Sequence, residues 1–204
     1  MKIKVIIPVI LLVLAAVGGW YFFLRSEPFK PGLIVALGDD LTAGFGVGPD
    51  ENYVAVLSKT LGLEVVNAGK NGDTTETALT RLDTDVRALN PRVVIVLLGG
   101  NDILRGFAPQ EVEQRLASIV QKLQIGGARV LLLGVRGGAY KHDYDTVYNR
   151  VASTSQAAYL PNILEGIVDN AELMADPIHP NANGHKKIAE RMEKRLRDML
   201  KVIK

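Results

Sequence analysis

The sequence predicts an α/β domain with a central parallel sheet in a three-layer arrangement, preceded by one apolar segment that reaches a membrane. Three observations carry this expectation. Short apolar runs recur at residues 33–37, 65–67, 93–98 and 130–133, as buried parallel strands require. Segments of helical period lie between and after them, and residues 5–24 contain no charged side chain.

The apolar segment comes first. Residues 5–24 are about the length that crosses a hydrocarbon core of roughly 30 Å as a helix. Lys2 and Lys4 precede them, and Trp20, Tyr21, Phe22 and Phe23 close the far end. A positive flank and an aromatic belt orient the amino terminus inward. Residues 1–24 are thus expected to be a single-pass anchor in the inner (cytoplasmic) membrane, with the remainder on the periplasmic side. The alternative is a cleaved secretory signal, because Ala16, Val17 and Gly18 are small residues in a cleavage-like pattern. Residues 25–32, with two prolines and a glycine, read as a tether, and residues 33–204 as the domain.

Within the domain the apolar runs alternate with amphipathic segments. After the second run, Ala78, Leu82, Val86 and Leu89 share one helical face. Past Pro109, Val112, Leu116, Ile119 and Leu123 do the same. A final helix from about residue 183 to 203 turns Ile188, Met192, Leu196, Met199 and Ile203 inward and its lysines and arginines outward. Residues 140–159 read as loop followed by helix. Strand and helix in alternation imply right-handed crossovers and an open parallel sheet, whose ligands collect at the carboxyl ends of the strands.

Composition narrows the function. At 204 residues, 48% hydrophobic and 23% charged, the chain holds one packed domain and an appendage. The net charge of +2 equals the contribution of Lys2 and Lys4, so the chain from Arg25 onward is formally neutral, which argues against a nucleic-acid partner. The absence of cysteine excludes disulfides, thiolate metal sites and a cysteine nucleophile.

Four short motifs fall where the sheet's carboxyl edge should lie. They are Gly38-Asp39-Asp40-Leu41, the stretch from Asn67 to Thr74 containing Asn71-Gly72-Asp73, Gly99-Gly100-Asn101-Asp102, and Asp176-Pro177-Ile178-His179-Pro180. Taken singly, each is ordinary turn or cap chemistry. In register they read GDDLTAGFGV, NAGKNGDTT, LLGGNDILRG and DPIHPNANGH, and the set resembles the conserved blocks of the SGNH (GDSL-type) hydrolase family. The resemblance runs from about Leu33 to the carboxyl terminus and is nearest the bacterial periplasmic arylesterase, thioesterase and lysophospholipase branch.

That resemblance implies a flavodoxin-like sheet and a small acyl or aryl ester as ligand, with no cofactor and no metal. It places a serine nucleophile at position 40, where this chain has Asp40. The oxyanion hole falls to the Asp40 N–H, Gly72 and Asn101, and the Asp-x-x-His pair to Asp176 and His179. The chemistry of the residues is consistent with these roles. A glycine leaves its N–H open to a developing oxyanion, and an asparagine amide adds a second donor. An aspartate three residues before a histidine fixes one imidazole nitrogen and leaves the other for the reacting group. Asp39 and Asp102 are expected to orient and cap the turns that present residues 40 and 101, and Asp73 to be a turn residue. His142 and His185 lack such a partner.

Asp40 separates this sequence from the family's reaction. A carboxylate attacking an ester carbonyl would give a mixed anhydride, and its charge opposes the one that must develop in the oxyanion hole. Its useful nucleophilic chemistry is displacement at sp3 carbon. Neither Thr42 nor Ser58 is positioned as a substitute. The leading expectation is an esterase-family protein with impaired serine chemistry and a surviving acyl groove. The alternatives are a hydrolase using water activated by His179, a non-catalytic acyl- or glycan-binding envelope protein, and a metal site formed by Asp40, Asn101, Asp176 and His179. Substrate choice is expected to lie in residues 45–53, 103–109 and 136–148.

Overall fold

Five short strands pair in parallel in the order β2-β1-β3-β4-β5: β1 (Ile34–Gly38), β2 (Val65–Gly69), β3 (Val93–Leu97), β4 (Arg129–Leu133) and β5 (Ala158–Leu160). The computed structural model describes residues 32–136 and 144–201. The expected anchor at residues 5–24, His142 and Ile203 lie outside them. The chain divides into two units, and the described residues fall in the second, Gly32–Ile203. Among the described residues no helix is long and apolar enough to cross a membrane.

β1 and β3 are buried at every position, as central strands covered on both faces must be. β2 lies at one edge and is only partly buried, and it runs through Ala68 to Gly69, beyond the expected residue 67. Gly38 is in register with both Gly69 and Leu97, so the three strands end level and release their loops at one edge.

The helices are α1 (Asp40–Ala43), α2 (Tyr53–Leu61), α3 (Thr75–Asp85), α4 (Gly100–Arg105), α5 (Pro109–Ile125), α6 (Asp145–Ser155) and α7 (Ala182–Lys201), with 3-10 turns at Arg87–Leu89 and Ala171–Leu173. α2 packs on α7, whereas α3 and α6 both pack on α5. This grouping follows from the strand order. The β1-to-β2 crossover runs one way along the sheet and the later crossovers run the other, so right-handed connections put their helices on opposite faces. The reversal leaves a crevice at the carboxyl ends of β1 and β3.

Val112, Leu116, Ile119 and Leu123 of α5 are buried, as are Ile188, Met192, Leu196 and Met199 of α7. In α3 the inward face holds for Ala78 and Leu82. Val86 is also buried, but Leu89 is exposed, contrary to its expected inward place. The α-helix stops at Asp85, and the 3-10 turn that follows ends on Asn90 in the left-handed region (φ 50°), which turns Leu89 away from the core. The stretch from 140 to 159 also needs correction. Its helix α6 is followed by strand β5, whose three half-buried residues at the sheet edge are too few to carry a periodic signal.

Candidate active site

Three loops leaving the level ends of β1, β2 and β3 build one half of the site. After β1, the Asp39 carboxylate accepts the Leu41 N–H (3.2 Å) and the Asp39 carbonyl accepts those of Thr42 and Ala43 (3.0 and 2.8 Å). This cap makes Asp40 the first residue of a one-turn helix. No acceptor among the described residues takes the Asp40 N–H, as the opening turn of a helix allows.

After β2, the Lys70 N–H donates to Gly38 O at 3.0 Å and holds the loop against β1. Gly72 then adopts φ 77°, a conformation in which a side chain would be strained. Its carbonyl accepts from the Arg105 guanidinium at 3.0 Å, which ties the loop to α4. After β3, the Asn101 amide donates to the Asp73 carbonyl at 3.0 Å, which sets its orientation.

Both donors converge on one group. The Gly72 N–H is shared between the two Asp40 carboxylate oxygens, at 3.1 Å each. The Asn101 amide donates to Asp40 Oδ2 at 2.7 Å. The pair of donors expected to receive an oxyanion is therefore occupied by the side chain of Asp40 itself.

The loop before α7 supplies the other half. His179 Nδ1 and Asp176 Oδ2 are 2.7 Å apart, and Asp176 Oδ1 accepts the N–H groups of Ile178 and His179 at 2.8 and 2.7 Å. Burial pushes the Asp176 carboxyl up, but the hydrogen bonds from the His179 ring and the two backbone N–H groups outweigh it and hold the carboxyl below its ordinary range. The Phe45 ring lies against the His179 ring, with centroids 4.5 Å apart. Asp40, Asn101 and His179 line one cavity of about 110 Å³ together with Asp39, Leu41, Leu104 and Ile178. Gly72 and Asp176 act on it through Asp40 and His179.

Of the two supporting carboxylates, Asp39 caps its turn as expected and Asp102 does not. Asp102, fully buried, accepts the Thr75 N–H (2.9 Å) and hydroxyl (2.6 Å) rather than capping its own turn, and so ties α4 to the start of α3. The Asp73 N–H does close a turn, onto Lys70 O at 3.1 Å, but its buried carboxylate also pairs with Arg81 at 2.6 Å. Arg81 further donates to Ala68 O (2.8 Å) and Gly38 O (3.3 Å), joining the ends of β1 and β2 to the Gly72 loop. One arginine in a polar helix gives no signal of this in the sequence. Asp39 is buried, and that burial, then the adjacent Asp40 charge, pushes its carboxyl up to about 8.

Other candidates are committed elsewhere. Thr42 shares a hydrogen bond with the Tyr53 hydroxyl at 2.8 Å, and Ser58 Oγ accepts the Val65 N–H at 2.8 Å. Buried His185 accepts the Tyr53 N–H on Nδ1 at 3.2 Å. Among the described residues no group of three or more His, Cys, Asp or Glu side chains is placed to hold a metal, so the four residues considered as metal ligands do not converge as a cage.

The model of the GDSL-like lipase/acylhydrolase family matches residues 36–187, a stretch that contains all four motifs. The chain belongs to this family. It is 36% identical over 178 residues to esterase TesA of Pseudomonas aeruginosa, an alignment covering 82% of this chain and 89% of that protein. It is 35% identical over 178 residues to the thioesterase 1/protease 1/lysophospholipase L1 of Escherichia coli, covering 82% and 84%. The crystal structure of TesA superposes with a TM-score of 0.78 at 35% identity, over 82% of this chain and 99% of that one. That of AlinE4, an SGNH-hydrolase family esterase, gives 0.67 at 32% identity, over 84% and 98%. For this GDSL-like chain, family and fold thus agree.

Proposed function

We propose that this protein is an ester-binding member of the GDSL-like family, tethered by residues 5–24 to the inner membrane with its domain on the periplasmic side, in which Asp40 holds the nucleophile's position and blocks the serine route. The ligand is a small acyl or aryl ester. Asn101, Gly72 and the Asp40 N–H form the oxyanion hole, His179 is the base oriented by Asp176, and Asp39 and Asp102 support the loops. The observation that carries this reading is the Asp40 carboxylate accepting from both Gly72 and Asn101. A carboxylate there already satisfies the donors that stabilise a tetrahedral intermediate, so an ester carbonyl must displace a charged group before it can be polarised.

Asp40→Ser replaces that carboxylate with a hydroxyl and empties the donors. Assayed beside the unmodified full chain with an aryl ester and a lysophospholipid, the serine variant should hydrolyse at least one of them about a hundredfold faster or more, because a triad nucleophile and an oxyanion donor each contribute on that scale. Equal and high rates for both proteins would overturn the blocked-site reading. Silence from both would show that the groove no longer accepts esters.

A further inference from the structure

We infer that the Asp40 site opens small alkyl epoxides, with Asp40 as nucleophile and the Gly72 and Asn101 donors serving hydrolysis of the resulting ester on Asp40. The inference goes beyond carbonyl-ester binding, although it uses the same donors and the same histidine.

The geometry around Asp40 divides its two oxygens. Oδ2 accepts the Asn101 amide and a share of the Gly72 N–H, whereas Oδ1, among the described residues, accepts only the other share of that N–H. Oδ1 is therefore the oxygen left to attack, and attack at sp3 carbon is the reaction at which a carboxylate is competent. The ester that forms keeps its carbonyl oxygen, Oδ2, between the two donors. This is the arrangement that water attack on that carbonyl carbon needs, since the oxyanion then develops where two donors already point.

The steps balance. Asp40 Oδ1 bonds to a ring carbon as the carbon–oxygen bond of the epoxide breaks, and the ring oxygen takes a proton. Asp39 lines the same cavity and keeps a proton at neutral pH, because burial and then the Asp40 charge push its carboxyl up to about 8. When Asp39 gives up that proton, Asp40 is losing its charge to the ester, so the buried pair carries one negative charge before and after. Water then attacks Asp40 Cγ as its proton passes to His179, whose Nδ1 is held by Asp176. The tetrahedral intermediate collapses with cleavage of Cγ–Oδ1, so Oδ1 leaves in the diol and the oxygen of the water stays in the Asp40 carboxyl. His179 returns a proton to the departing diol, and the proton on the regenerated Asp40 acid goes back to Asp39. The net reaction is epoxide plus water to vicinal diol. Leu41, Leu104 and Ile178 give the cavity of about 110 Å³ one apolar side beside its polar groups, and its size suits a compound of a few carbons.

The test uses the full chain and 1,2-epoxybutane. The unmodified protein should form the diol, and a single turnover in oxygen-18 water should put the label into the Asp40 carboxyl and leave the diol unlabelled. His179→Gln should accumulate one hydroxybutyl group on the peptide containing Asp40, and Asp40→Ser should lower diol formation at least a hundredfold. Label in the diol on the first turnover, diol formation undiminished by Asp40→Ser, or absence of both diol and adduct would each overturn the inference. The isotope measurement needs no variant, so a misfolded His179→Gln protein leaves the test intact. Ester hydrolysis by Asp40→Ser is a separate readout, and either result can fail without the other.

Discussion

At the residue scale, two adjacent carboxylates share one pocket under opposite constraints. Asp40 has two strong donors, whereas Asp39 is buried beside it with the Leu41 N–H on one oxygen. Burial and the Asp40 charge raise the Asp39 carboxyl to about 8, from about 3.8 in an unfolded chain. The folded state therefore binds the extra proton between those limits. Its contribution to stability is complete below about pH 4 and is lost as pH rises through 8. Asp39→Asn can still accept the Leu41 N–H but has no proton to lose. Melting temperature measured from pH 4 to 9 should fall for the unmodified protein relative to the variant, by the equivalent of several kcal/mol at the alkaline end. Parallel curves would show that Asp39 ionises without cost.

At the element scale, helix α7 is docked on α2 through His185. The ring lies near-parallel to Tyr53, accepts the Tyr53 N–H, and is buried with Nε2 unpartnered among the described residues. Burial, with a smaller push from His179, lowers its pKa from 6.5 to about 4. The sign is opposite to that of Asp39. The unfolded chain binds the proton first, so this contribution is complete above pH 6.5 and is lost as pH falls toward 4, a loss of about 3 kcal/mol. His185→Gln preserves an acceptor for the Tyr53 N–H, so urea unfolding at pH 4.5 and 7 should show a smaller acid loss in the variant. An unchanged difference between the two pH values would remove His185 as the cause. Contacts of this kind are what the sequence could not show. The strands β1 and β3 were legible because their residues are all apolar, and α5 because its period is long. His185, Arg81 and Asp102 take partners from distant loops, and local spacing does not encode those choices. The same holds for Asp40. Its place in the site followed from motif order, but its carboxylate lying on Gly72 and Asn101 is a tertiary outcome.

At the scale of the whole molecule, the level ends of β1, β2 and β3 gather the site from separate loops on the face that the strand order leaves open. On the proposed reading, where the molecule works is set by the apolar stretch at residues 5–24. The chain from Arg25 onward is formally neutral, and the basic side chains of α7 are interspersed with Glu190, Glu193 and Asp198, of which Lys187, Arg197 and Lys201 already pair with those acids. α7 carries seven basic and three acidic side chains, so its attraction to anionic lipid rests on an excess of four charges, and about 1 M salt, with a screening length near 3 Å, would abolish it. An uncharged stretch of this length is held by apolar transfer, which salt does not weaken. The full chain should remain in the membrane fraction through a wash at about 1 M salt and come off only with detergent, and protease added to the periplasmic side should digest the domain. Release by salt would assign the attachment to α7, whereas a mature mass lacking the leading residues would replace the anchor with a cleaved signal.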